Sequence, residues 1–126
     1  MRKSLFATLL LTCSTAALAE DWVLVSTSDN DTDEHYVDRS SVRDYGSYKR
    51  AWTMTKYIDG WGYDGSYKSS RLFEIDCNNE RTRILSLTRY YKDGDIDSID
   101  PSSPKWIYVR PESVMKATFS FVCFGS

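Results

Sequence analysis

Tyr48-Lys49-Arg50-Ala51-Trp52-Thr53-Met54-Thr55-Lys56-Tyr57-Ile58 alternates over its whole length. Tyr48, Arg50, Trp52, Met54, Lys56 and Ile58 fall on one side, and Lys49, Ala51, Thr53, Thr55 and Tyr57 on the other. Period two with β-branched and aromatic residues is the signature of a strand, because successive side chains of extended backbone point to opposite faces. Asp59-Gly60-Trp61-Gly62-Tyr63-Asp64-Gly65-Ser66 comes directly after it. Its glycines tolerate positive φ, so the segment reads as a hairpin loop. The next strand is predicted over Tyr67 to Cys77, with Phe73, Ile75 and Cys77 sharing a face. Asn78-Asn79 then turns the chain into a partner strand, Arg81 to Tyr91, in which Leu85 and Leu87 oppose Ile84, Ser86, Thr88 and Tyr90.

Outward from this hairpin the pattern repeats in shorter pieces. Trp22 to Val25 and His35 to Asp38 read as strands on the N-terminal side, and Trp106 to Val109 on the C-terminal side. Asp93 to Lys105, with Pro101 and Pro104, reads as an acidic loop without an apolar period. Beyond it the periodicity changes. Pro111 suits the first turn of a helix and Glu112 the positive end of its dipole, while Met115, Phe119 and Val122 recur at helical spacing. A helix from Pro111 to about Val122 is one reading, although Thr118 to Val122 alternates equally well as a closing strand. The fold class is thus α+β: an antiparallel sheet of five to six strands with a C-terminal helix packed on it and one disulfide.

Residues 1–19 read as a signal peptide and 20–126 as a single domain. Arg2 and Lys3 precede the apolar run Leu5 to Leu11, and Ala17-Leu18-Ala19 is a small-x-small cleavage triplet. The run is too short to span a bilayer, and no other stretch is long and apolar enough to do so. Cys13 leaves open a lipidated N terminus. Cleavage after Ala19 removes Arg2 and Lys3 from the 16 basic residues, leaving 14 against 18 acidic, a net charge of −4. That sign disfavours nucleic acid as a partner. Two cysteines then remain, Cys77 and Cys123, and outside the cytoplasm they have one connectivity as a disulfide.

Little here points to catalysis or to a cofactor. His35 is the sole histidine and is expected on the surface at the start of its strand. With no CxxC and no second histidine, a tetrahedral zinc set is incomplete. The alternating acids Asp29, Asp31, Asp33 and Asp93, Asp95, Asp97 lack the glycine and the bidentate acid that a calcium loop needs at its sixth and twelfth positions. The four tryptophans and nine tyrosines point instead to binding. Trp61 and Tyr63, set among glycines in the predicted hairpin loop, are candidate anchors for a protein partner, since large rigid side chains dominate interface energetics. Arg81, Arg83 and Arg89 are candidates to meet an acidic or sulfated partner from the outer face of their strand.

Ordered landmarks carry a resemblance over nearly all of residues 20–126. They begin with Trp22, Tyr36-Val37-Asp38-Arg39-Ser40-Ser41-Val42 and Arg50-Ala51-Trp52. Phe73-Glu74-Ile75-Asp76-Cys77, Arg81-Thr82-Arg83-Ile84-Leu85-Ser86 and Tyr90-Tyr91-Lys92-Asp93-Gly94 come after these, and Trp106, Val109-Arg110-Pro111-Glu112-Ser113 and Val122-Cys123 close the series. In this order they resemble surface-adhesin protein E-like domains. The resemblance implies a small exported protein of a Gram-negative bacterium, periplasmic or at the cell surface, and supports the helical reading of the C terminus. It also implies a non-enzymatic role, with extracellular-matrix or serum proteins of a host as partners and with homodimerisation. Glu112, where a small residue is expected, and the longer Asp93 to Lys105 loop depart from the pattern and leave partner choice open. Two other roles fit the same residues: a periplasmic inhibitor of a host hydrolase such as lysozyme, which a negative charge would help to capture, and an envelope structural or stress protein.

Overall fold

The computed structural model describes residues 19–28, 30–58, 62 and 64–126. The expected signal peptide lies outside the described residues, apart from Ala19. Among the described residues eight strands form one antiparallel sheet: β1 (Trp22–Thr27), β2 (Asp33–Asp38), β3 (Arg43–Tyr45), β4 (Tyr48–Tyr57), β5 (Ser66–Asp76), β6 (Arg81–Tyr91), β7 (Ile96–Ile99) and β8 (Ile107–Tyr108). A 3-10 turn, Arg39–Ser41, follows β2, and the helix α1 (Val114–Phe124) ends the chain. The sheet runs β1-β2-β4-β5-β6-β7, with β3 beside β4 and β8 beside β6.

Two strands exceed the expected five to six. β3 joins β4 through Gly46, whose φ of 63° is the left-handed conformation that glycine adopts at little cost. β7 lies inside the stretch read as a structureless acidic loop. Its alternation is only four residues long and its Ile96 and Ile99 are exposed, so no apolar face marks it. Alternation also fails once within β6. Leu72 pairs with Ser86 but Phe73 pairs with Ile84, so Leu85 is the extra residue of a bulge and Ile84 and Ser86 take opposite faces.

The core explains why β4 alternates as it does. Ala51, not Trp52, is fully buried, together with Val37, Ile75 and Phe119, and Phe73 and Val122 complete the cluster. α1 crosses β1, β2 and β4, and small or β-branched side chains beneath it let the helix approach. The helix begins later than Pro111. Ser113 is extended and its hydroxyl accepts from the Lys116 amide at 3.1 Å, while Glu112 has a φ of 57° and so lies outside the first turn. A serine N-cap satisfies an orphan amide that a glutamate at this position cannot reach. Gly125, at φ 80°, ends the helix by donating to the Phe121 carbonyl. The Cys77–Cys123 disulfide joins the β5–β6 turn to the last turn of the helix.

Candidate functional site

With α1 on one face, the opposite face of the sheet carries the polar and aromatic side chains of β4, β5 and β6. Arg50 and Arg83 both reach Glu74, which is 2% exposed. Arg81 donates to Asp76 at 2.9 Å, and Asp76 is also 2% exposed. These pairs follow the register, since Arg50, Glu74 and Arg83 are directly opposite one another, as are Asp76 and Arg81. Burial by itself raises the Glu74 carboxyl, but hydrogen bonds from Arg50 and Arg83 and their charges outweigh it and hold it below its ordinary 4.5. Asp76 is likewise raised by burial and more strongly lowered by Asn79 and Arg81, ending below 3.8. Both carboxylates are therefore ionised at neutral pH and fix their arginines in place.

The guanidinium faces left over stack on rings. Arg81 and Arg83 lie 4.7 and 4.3 Å from the Trp106 ring, and Trp106 tilts against Tyr48 at 4.9 Å. Arg50 lies 4.1 Å from the Tyr45 ring. The result is an arginine-aromatic cluster on the face turned away from the helix, with cations held over π systems.

Arg89 does not join this cluster. It pairs across to Ser69, which pairs in turn with Thr55, and so it lies on the opposite face, bridging Asp64 and Asp97. Trp61 and Tyr63 lie outside the described residues. Trp106, Tyr45 and Arg50 were not singled out by sequence reasoning. The signal for Arg50 was its place opposite Glu74, which becomes visible only once register is known.

His35 is part-buried rather than openly exposed as expected. It sits in β2 opposite Thr55, with Nδ1 3.1 Å from the Thr55 hydroxyl and Nε2 3.2 Å from an Asp33 oxygen. Burial lowers its pKa below 6.5, an effect that the Asp33 charge only partly offsets. Among the described residues, no group of three or more His, Cys, Asp or Glu side chains is arranged to hold a metal ion. No helix among them is long and apolar enough to cross a membrane.

The sequence matches the Surface-adhesin protein E family model over residues 22–124. No curated protein matches it. Two solved structures of Haemophilus influenzae protein E share the fold. One is a selenomethionine form with a TM-score of 0.59 at 11% identity, covering 84% of this chain and 92% of that one. The other has a TM-score of 0.57 at 10% identity and covers 82% and 84% of the two chains. At such identities the likeness is one of fold, and it carries no residue of a binding site from one chain to the other.

Proposed function

This chain belongs to the surface-adhesin protein E family, and from that premise we propose that it is an exported, non-enzymatic adhesin contacting host extracellular-matrix or serum proteins. The observation that carries this reading is the cluster of Arg50, Arg81, Arg83, Tyr45, Tyr48 and Trp106. Arg, Trp and Tyr are the residues enriched at interface hot spots, and here buried carboxylates have already fixed the arginine rotamers, so less entropy is lost on binding. Trp61 and Tyr63, which fall between β4 and β5 in the sequence, are proposed as further anchors. Export rests on residues 1–19 as a cleavable signal and places the mature domain, residues 20–126, in the periplasm or at the cell surface of a Gram-negative bacterium. A homodimer would use the outer edge of the sheet, where Ile96, Ile99, Ile107 and Tyr108 are exposed.

The deciding experiment measures binding of the purified domain to immobilised matrix and serum proteins, with Trp106→Ala and Arg83→Ala compared after thermal melting confirms their folds. Truncating a hot-spot anchor weakens binding by about tenfold or more. Unchanged binding in both folded variants would move the interface elsewhere. Inhibition of lysozyme without matrix binding would favour the inhibitor role instead.

A further inference from the structure

On the same face, but sharing no residue with the arginine-aromatic cluster, is an open groove of about 420 Å³. Its floor is Met54, Ser70 and Thr88, which lie in one row because Met54 pairs with Ser70 and Ser70 with Thr88. The two small hydroxyl residues leave a depression. Trp22, Trp52 and Tyr90 rise around it. The Trp22 indole is held by its N–H, which donates to Glu20 Oε2 at 2.9 Å.

The groove is lined by two carboxylates, Glu20 and Asp38, and by one ammonium group, Lys68. At one end is Asp38, 6% exposed. Its Oδ1 accepts from the Asp21 amide and from the amide and hydroxyl of Ser40, whereas among the described residues Oδ2 takes no hydrogen bond. At the other end is Lys68, whose ammonium lies 4.5 Å from the Tyr90 ring. Lys56 is directly opposite it on β4, with its ammonium 5.6 Å from the Tyr36 ring. Like charges placed opposite one another across strands are unfavourable. Among the described residues neither lysine forms an ion pair, but Lys56 is opposite Glu34 on β2, so Lys68 carries the free positive charge at this end of the groove.

The geometry points to a binding site for an acidic saccharide, a sugar unit bearing one carboxylate. Indole and phenol faces offer apolar area to the C–H faces of a pyranose ring. Ser70 and Thr88 can donate to or accept from ring hydroxyls, and Asp38 Oδ2 is a free acceptor for a hydroxyl donor. The carboxylate goes to Lys68. A wholly apolar ligand would leave Asp38 and Lys68 desolvated, and a phosphate dianion would place two negative charges in a groove that already holds Asp38 and Glu20, where Lys68 can balance one.

The test titrates the purified domain with cellobiouronic acid and with cellobiose, its neutral counterpart, following tryptophan fluorescence and amide chemical shifts. Open, shallow sites bind sugars weakly, so the acid is expected to bind at roughly 10⁻⁴ to 10⁻³ M, with shifts centred on Ser70, Thr88 and Trp52, and the neutral sugar about tenfold weaker. Lys68→Gln should abolish that preference while leaving the weaker binding. Trp52→Ala should lose at least tenfold for both sugars, and Trp52→Phe should recover part of it. Melting curves confirm that each variant folds. Equal affinity of the wild-type domain for the two sugars, or no groove shifts with either, overturns the proposal. Matrix binding that survives Trp52→Ala keeps this site distinct from the Trp106 cluster.

Discussion

The two faces of the sheet solve opposite problems with the same strands. Under α1, β4 contributes Ala51, Thr53 and Thr55, all buried, and the packing partners are Val37, Phe73, Ile75, Phe119 and Val122. On the other side β4 contributes Tyr48, Arg50, Trp52 and Met54, and the partners are charged, aromatic or hydroxylic. The bulky side chains of β4 are thus on the face without a helix. A helix can approach a sheet closely only over small side chains, so the face that makes the core is the inconspicuous one. The conspicuous one remains available for contact, and its aromatics lie against charged side chains rather than in a hydrophobic interior.

That contrast implies that substitutions on the covered face should cost stability, and those on the uncovered face should cost binding. Phe119→Ala is the strongest challenge, because Phe119 is fully buried at the centre of the covered side. A loss of about 3–5 kcal/mol is expected in urea unfolding, from lost transfer energy plus the cavity. A loss under about 1 kcal/mol would show that the helix is not what closes the core.

Next is the disulfide. Cys77→Ala with Cys123→Ala removes a cross-link between residues 46 apart and should cost roughly 2–4 kcal/mol, with the same loss on reduction of the wild type. Labelling of two free thiols in the oxidised, exported protein would contradict the pairing.

The largest stability effect expected on the uncovered face is at Glu74. Glu74→Gln leaves Arg50 and Arg83 without a counter-ion, at about 2 kcal/mol, less than for a fully buried pair because both guanidinium groups reach water. The effect should depend on pH. Glu74 and Asp76 titrate lower in the folded chain than in the unfolded one. Their contribution is therefore complete above the unfolded values near 4.5 and 3.8, and is lost as pH falls through the lower folded values. The difference between wild type and Glu74→Gln should be largest at pH 7 and shrink toward pH 2. A constant difference would mean that Glu74 acts by packing alone.

The smallest stability change is expected for Trp106→Ala, within about 1 kcal/mol, since its contacts are cation-π and ring-edge contacts near the surface. The paired readout is binding to matrix proteins, which should fall by about tenfold. The double variant Trp61→Ala with Tyr63→Ala belongs to the same class, with weakened binding and an unchanged melt.

Much of the architecture was legible because it rests on local pattern. The long β4 to β6 meander follows from alternation and turn residues, with both cysteines placed at ends of elements, whereas for the C-terminal helix the spacing of Met115, Phe119 and Val122 competed with the alternation of Thr118 to Val122 and the family resemblance favoured the helix. What escaped depends on pairing between distant segments. β3 and β7 are short edge strands that exist because β4 and β6 offer them partners. The bulge at Leu85 separates Ile84 from Ser86, and no count along β6 reveals it. The candidate site was half legible for the same reason. Arg81 and Arg83 stand out as basic, but only register shows that Glu74 and Asp76 hold them, that Trp106 lies against both, and that Arg89 faces the other way.

The order in which the chain is made adds a constraint of its own. Phe119, Val122 and Cys123 come after every strand of the sheet in chain order, so the side chains that seal the core and lock it are made later than the strands they cover. Until they emerge, the sheet has a water-exposed covered face and Cys77 has no nearby thiol to oxidise with. The core therefore cannot close until α1 has been made, however early the strands pair. A stop codon placed just before Phe119 should leave a product that expands, exposes apolar surface and is degraded, although it retains every strand of the sheet.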